Sequence, residues 1–241
     1  MQGAYMRNYT PTMNASWYSL SLSPSRLLSR SERSSLFTPV QNDDFVVLAT
    51  LKRAASELSS SQKKLFRIDD NVGIAISGLT ADGTAATKAL RNDCISHKFT
   101  FESQVEVARL AGRVADKSQI STQRAGARPS GVGMLIAGVD EQGTHIFQTC
   151  PSGNLYEHIA AAIGARSQAS KTYLERNVDK LGALSLDQLA KLALRALREA
   201  STDPLTHQTC SVAVVGSKDH PFRILSAEEL TSALEGLDEQ E

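Results

Sequence analysis

The chain has 241 residues, with 26 Lys plus Arg set against 26 Asp plus Glu, so its formal net charge is zero. That balance excludes a global field for nucleic acid, an anionic membrane or a cationic partner. A 41% apolar and 22% charged composition is that of an ordinary globular protein, long enough for one large domain or two small ones.

No apolar run approaches the ~18 residues of a membrane span. Cys94, Cys150 and Cys210 are widely spaced and form no C-x-x-C, so they read as free thiols in a reducing compartment. Residues 1 to 40 are rich in Ser, carry Arg7, Arg26, Arg30 and Arg33, and have Glu32 as their only acid. This composition suits an organellar transit peptide or a disordered tail. Ser19 to Leu28 alternates Ser and Leu, unlike the compact apolar run of a secretory signal. Ser35 to Val40 can pair as a first strand, with Gln41-Asn42-Asp43-Asp44 as its turn. Pro39 has no N–H for a ladder, which places that strand at a sheet edge. Phe45 to Leu51, β-branched and apolar, is a second strand. Lys64 to Ile68 and Val72 to Ser77 are two more, joined across Asp69-Asp70-Asn71.

Two helices are predicted next. The first covers about Ala81 to His97, with Ala85, Ala89 and Cys94 as inward candidates. The second covers about Val105 to Ser118, where Val107, Ala108, Ala111, Val114 and Ala115 form a one-sided stripe that would lie on a sheet. Arg109, Arg113, Asp116 and Lys117 are its expected solvated face.

Ser130 to Asn154 carries the core. Val132 to Val139 is apolar on both faces, so both must be covered. Asp140-Glu141-Gln142-Gly143 is a short polar loop ending in glycine. His145 to Cys150 is the returning strand and Pro151-Ser152-Gly153-Asn154 a second turn. Leu155 to Ala161 can extend the sheet. Arg166 to Asn177 is a helix with Ala169 and Tyr173 four apart. Another begins at Ser185, where Gln188 completes a capping box, with Leu186, Leu189, Ala190, Ala193 and Leu197 as its stripe. Ser211 to Val215 and Phe222 to Leu225 form a last hairpin, and Ser226-Ala227-Glu228-Glu229 caps a short closing helix.

Pairs of amphipathic helices alternating with buried antiparallel strands predict an α+β fold, a four-layer αββα sandwich. With no internal repeat and no linker after residue 45, the expected division is a Ser/Arg-rich segment over 1–44 and one domain over 45–241.

Motifs for chemistry are sparse. The histidines show no ligand spacing, and His145, in a strand, reads as a satisfied core or edge residue. Gly131-x-Gly133 with Gly138 continues as a strand and opens no helix toward a phosphate. No G-x-S-x-G, P-loop or H-E-x-x-H occurs. Arg124 and Arg128 flank Ala125-Gly126-Ala127 in a small basic loop read as solvated.

Several separated blocks carry more. They are Glu57-Leu58-Ser59-Ser60-Ser61-Gln62-Lys63-Lys64, Ser77-Gly78-Leu79-Thr80-Ala81-Asp82 and Gln119-Ile120-Ser121-Thr122-Gln123-Arg124. Gly131-Val132-Gly133 through Asn154 follows, then Ile163-Gly164-Ala165-Arg166-Ser167-Gln168 through Tyr173-Leu174-Glu175-Arg176. In this order, over about residues 45 to 225, they resemble the α-type subunits of the 20S proteasome. The resemblance implies the N-terminal-nucleophile hydrolase sandwich and a non-catalytic subunit that scaffolds and gates the proteolytic chamber in ubiquitin-dependent degradation. It implies as partners the other α subunits of a heteroheptameric ring, the β-ring subunits, and the C-termini of a regulatory particle or other activator. Neither nucleic acid nor membrane is implied as a partner, nor any cofactor or metal. Cytoplasm and nucleus are the implied locations.

The resemblance further places Lys64, at a strand mouth, in a pocket that takes activator C-termini, where its ammonium would pair with the terminal carboxylate. Gly78 and Leu79 would line that pocket, and the small residue expected near the first strand is Ser34. A solvated surface lysine is the plain alternative for Lys64. The family's Ser-Pro-x-Gly-Arg-Leu-Phe-Gln-x-Glu-Tyr-Ala signature is echoed only by Trp17 and Ser23-Pro24-Ser25-Arg26-Leu27. A misassigned first exon, a transit peptide or real divergence would each account for this. Ser130 also stands where the family's Arg-Pro-Tyr-Gly-Val-Gly has tyrosine.

Catalytic relatives free a threonine whose own amine serves as base. Gly83-Thr84 and Gly143-Thr144 lie beyond the opening strand, and Thr38 follows Phe37 where those relatives have glycine. The competing reading is an active N-terminal-nucleophile hydrolase of the β-type, processed near its N-terminus.

Overall fold

Branched apolar residues build β1 (Leu36–Gln41) and β2 (Phe45–Leu51), antiparallel from Phe37↔Thr50 to Gln41↔Val46. Asn42 turns the chain between them, its Oδ1 accepting from the N–H groups of Asp44 and Phe45 at 3.1 and 2.6 Å. The computed structural model to which they belong describes residues 36–52, 62–164, 166–201, 204–217 and 220–238. β2 pairs on its other side with β9 (Cys210–Gly216), β9 with β10 (Arg223–Ile224), and β1 with β8 (Ile163–Gly164). This first sheet runs β10-β9-β2-β1-β8.

The second sheet runs in sequence order through β3 (Leu65–Arg67), β4 (Val72–Gly78), β5 (Val132–Asp140), β6 (Gly143–Thr149) and β7 (Leu155–Glu157). At its centre β5 is buried on both faces. Val132, Met134 and Ile136 face a helix layer, while Leu135 and Ala137 face the opposite sheet. Burying each such side chain contributes roughly 1.5–3 kcal/mol, so the strand has no solvent register to slip into.

α1 (Thr80–Phe101) and α2 (Val107–Gln123) cover the second sheet, and Leu90, Leu110 and Val114 pack on its β4–β5 face. α3 (Ser167–Asn177), a 3-10 segment (Val178–Ala183), α4 (Leu186–Ala200) and α5 (Ala227–Asp238) cover the first. A middle core joins the sheets through Phe37, Leu48, Leu65, Ala75, Leu135, Ile146 and Val215. This is the αββα sandwich expected from the alternation of helix pairs and strands.

Details differ from the sequence reading. β1 is not an edge, because β8 lies beyond it. Pro39 is tolerated there because a strand residue's N–H and C=O point the same way. The Pro39 carbonyl accepts from Ala161 N at 3.1 Å, so its missing donor faces the residues leading into β8 and not β2. The 155–161 segment does more than extend one sheet. After β7 it crosses over, and Ile159 to Gly164 lies along β1, with Gln41 N donating to Ile159 O at 3.2 Å.

Cys94 of α1 and Val107, Ala111, Val114 and Ala115 of α2 are buried as predicted, but other inward positions differ. In α1 the buried residues are Gly83, Thr87, Leu90 and Cys94, whereas Ala85 is exposed and Ala89 half-buried. In α2 Leu110 takes the inward place predicted for Ala108, and in α3 Ser170 and Leu174 take those of Ala169 and Tyr173. The Ser185–Gln188 box forms as predicted, with Ser185 N donating to Gln188 Oε1 at 3.1 Å. Glu229 does the same for Ser226 N at 2.9 Å.

Candidate functional site

The end of the second sheet where β4 passes into α1 gathers the residues singled out from the sequence. Lys64 lies opposite Ile76 at the mouth of β3, its carbonyl accepting from Ile76 N at 3.0 Å. It is only 6% exposed, with Nζ 6.0 Å from the centre of the Phe37 ring, so it is not a solvated surface lysine. The stem crosses the gap between the two sheets. In so covered a place, a charge interacts more strongly with an opposite charge than in open water.

Gly78 and Leu79 close β4 at the same end. Gly78 has φ +128, and a Cβ there would come 2.2 Å from the Gly131 carbonyl oxygen, so only glycine fits. Leu79 is 50% exposed, and its N–H donates to Gly131 O at 2.9 Å. Gln62 reaches from the lead-in of β3 to Thr80 Oγ1 and ties the two segments together. The Ser34 position and residues 57–61 of the first matched block lie outside the described residues.

The sequence reading missed what holds this corner. Asp82 in the first turn of α1 accepts from Arg128 Nη1 and Nη2, each at 2.7 Å, and from Gly131 N at 2.9 Å. Arg128 is therefore paired and not merely solvated. The Arg128 hydrogen bonds, helped by Gly131 N–H, hold the Asp82 carboxyl below the usual carboxylate range despite partial burial. Asp82 in a predicted first helical turn was the only sign of this in the sequence.

Each threonine considered as a nucleophile is engaged elsewhere. Thr38 is fully buried in mid-strand, its hydroxyl donating to Ala193 O of α4 at 3.1 Å. Thr84 lies within α1. Thr144, beside the turn glycine Gly143, donates to Asn42 O at 2.6 Å.

His145 is satisfied, as its place in a strand suggested. Its Nε2 lies 3.2 Å from Asp140 Oδ1 and its Nδ1 2.7 Å from Glu157 Oε1. Among the described residues no group of three His, Cys, Asp or Glu could hold a metal ion, and no helix is long and apolar enough to cross a membrane. Cys94 and Cys210 are buried, and burial pushes each thiol up to about 11. A groove of about 530 Å³ runs between α1 and α2, its lining including Ala85, Ala86, Ala89, Ser118 and Ser121. Asp93 and Arg113, 2.8 Å apart, bridge it.

The family described as proteasome subunit matches residues 38–215. Proteasome subunit alpha type-1 of Dictyostelium discoideum is 46% identical over 205 residues, 84% of this chain and 82% of that protein. The alpha type-1 subunit of Caenorhabditis elegans is 42% identical over 188 residues, 77% and 72% of the two chains. That of Drosophila melanogaster is 41% identical over 194 residues, 78% and 68%.

Proposed function

The chain belongs to the proteasome subunit family, on its α-type branch, and from that premise we propose how it works in the 20S core particle. It is a non-catalytic component of a protease complex and assembles with other proteasome subunits. Its sandwich forms part of the wall of a heteroheptameric α-ring stacked on β-rings, and it restricts entry to a chamber where β-type partners cut peptide bonds. A Ser/Arg-rich segment of residues 1–44 precedes a domain of residues 45–241, and its residues 36–41 supply β1 of the first sheet. Cytoplasm and nucleus, where ubiquitin-dependent degradation runs, are its places of work.

One observation carries the non-catalytic reading. Thr38, the threonine of the opening strand β1, spends its hydroxyl on Ala193 O in the interior of the first sheet's helix layer. A nucleophile needs a hydroxyl beside a base and open to substrate. The tagged chain should co-purify with α- and β-type subunits and have no peptidase activity by itself. Turnover by the isolated chain, abolished by a threonine-directed covalent inhibitor, would replace this reading with the hydrolase.

The second part of the proposal is a docking site. Lys64, supported by its covered position beside Phe37, receives the terminal carboxylate of an activator, with Gly78 and Leu79 as the apolar rim. Lys64→Ala particles should lose most of the activator-dependent rise in peptide hydrolysis contributed by this pocket. An unchanged activator titration with fully assembled Lys64→Ala particles would remove Lys64 from the site.

A further inference from the structure

The rim at Gly78–Leu79 is held by a closed circuit of hydrogen bonds. Asp82 Oδ2 accepts from Gly131 N at 2.9 Å, and Gly131 O in turn accepts from Leu79 N at 2.9 Å. Only Thr80 and Ala81 separate Leu79 from Asp82, so the circuit returns on itself through the helix's first turn. Arg128 locks the carboxylate from outside with two parallel hydrogen bonds of 2.7 Å, the fork geometry that fixes orientation as well as charge. Gly131 lies directly beneath the exposed leucine, and a Cβ on it would sit 2.5 Å from Leu79 Cδ1. The half-exposed Leu79 side chain is thus set by the Gly131 backbone, and the Gly131 backbone is set by Asp82.

We propose that Asp82 is a positioning residue for the docking site, holding Gly131 and through it the Leu79 rim against which the penultimate side chains of an incoming C-terminus pack. This rests on the reading of Lys64, Gly78 and Leu79 as that site. Lys64 and Asp82 then do separable work. Lys64 recognises the carboxylate, whereas Asp82 never meets the peptide and sets only the shape of the apolar rim. Losing Asp82 lowers affinity for any peptide end, acid or amide, and losing Lys64 lowers the preference for the acid.

The test uses assembled particles carrying one variant of this chain. The probe is an octapeptide with a penultimate leucine, a photo-crosslinking group and either a free C-terminal carboxylate or an amide. Labelling of this subunit is read by mass spectrometry, with the neighbouring α subunits of the same particle as internal reference. Asp82→Ala should reduce labelling by both probes about five- to tenfold at subsaturating concentration and keep the acid-to-amide ratio, as expected for one lost charge-assisted cluster. Lys64→Ala should collapse the ratio toward one.

Gly131→Ala leaves Asp82 intact and strikes Leu79 directly, so it should reproduce the Asp82→Ala loss. It also carries the test if Asp82→Ala particles do not assemble. Wild-type labelling of Asp82→Ala or Gly131→Ala particles, with Lys64→Ala still losing the acid preference, would overturn the positioning role and leave the pocket. An unchanged ratio in Lys64→Ala would overturn the pocket reading itself.

Discussion

The two helix layers of this molecule are built on different physics. On the first sheet, α4 buries Leu189, Ala190, Leu192, Ala193, Leu194, Ala196, Leu197 and Ala200, most of its circumference, because α3 and α5 flank it above the strands. On the second sheet, the longer α1 buries only Gly83, Thr87, Leu90 and Cys94. Its outer surface keeps Ile95 at 67% and Phe99 at 89% exposure, and the Asp93–Arg113 ion pair joins it to α2 across an open groove. A layer closed by hydrophobic burial is stiff, since each void loses contacts outright. The α1–α2 layer is also held by buried apolar residues such as Leu90, Leu110 and Val114, and the exposed ion pair adds little to it. Both layers are packed on their sheets, and the difference lies in the outer surface of α1, which keeps large apolar side chains exposed.

The contrast is most exposed to failure at Leu194, fully buried in the α4 layer. Leu194→Ala should lower stability by about 2–5 kcal/mol, read from the urea midpoint by circular dichroism. A loss below about 1 kcal/mol would mean that this layer can collapse around a void as freely as its counterpart. Thr38→Val keeps the volume but removes the hydroxyl bond to Ala193 O, and should cost about 1 kcal/mol in the same measurement. Arg113→Ala breaks the groove's ion pair, whose side chains are 50% and 38% exposed, and should change stability by no more than about 1 kcal/mol. A larger loss there would make the α1–α2 layer as dependent on its own contacts as the α4 layer.

The smallest effect concerns pH. His158 sits where the chain crosses between sheets, and burial, seconded by the Lys171 ammonium on α3, lowers its pKa from the ordinary 6.5. The unfolded chain then binds a proton that the folded chain resists. Stability should fall as pH drops below 6.5 and hold above it, and His158→Gln should flatten that slope.

Much of the architecture was legible because it follows from periodicity. Apolar residues on both faces of Val132 to Val139 require cover on both sides, which forces a layered fold around β5. The capping residues Ser185 and Ser226 marked helix starts because each pairs with an acceptor three residues on. The faces of α1 and α3 were less legible. Alanine fits either side of a helix, and the residue that brings α1 closest to β4 is Gly83, whose absent Cβ would meet Ile76 Cδ1 at 2.5 Å. Glycine carries no hydrophobic signal, so the sequence pattern points to Ala85 and Ala89 and reaches the buried face only at Cys94. At the candidate site, Lys64, Gly78 and Leu79 were named from the matched blocks, yet nothing in those blocks shows that Arg128 returns to Asp82.

The order of strands and helices, the buried central hairpin and the two capped helix starts were determined by the sequence alone, since each depends on residues within a few positions of one another. The crossing of residues 158–164 from one sheet to the other, the tolerated proline in an inner strand and the Asp82–Arg128–Gly131 clamp were decided only in three dimensions. Each joins residues tens of positions apart, and a distance along the chain says nothing of a distance through space until both sheets have packed.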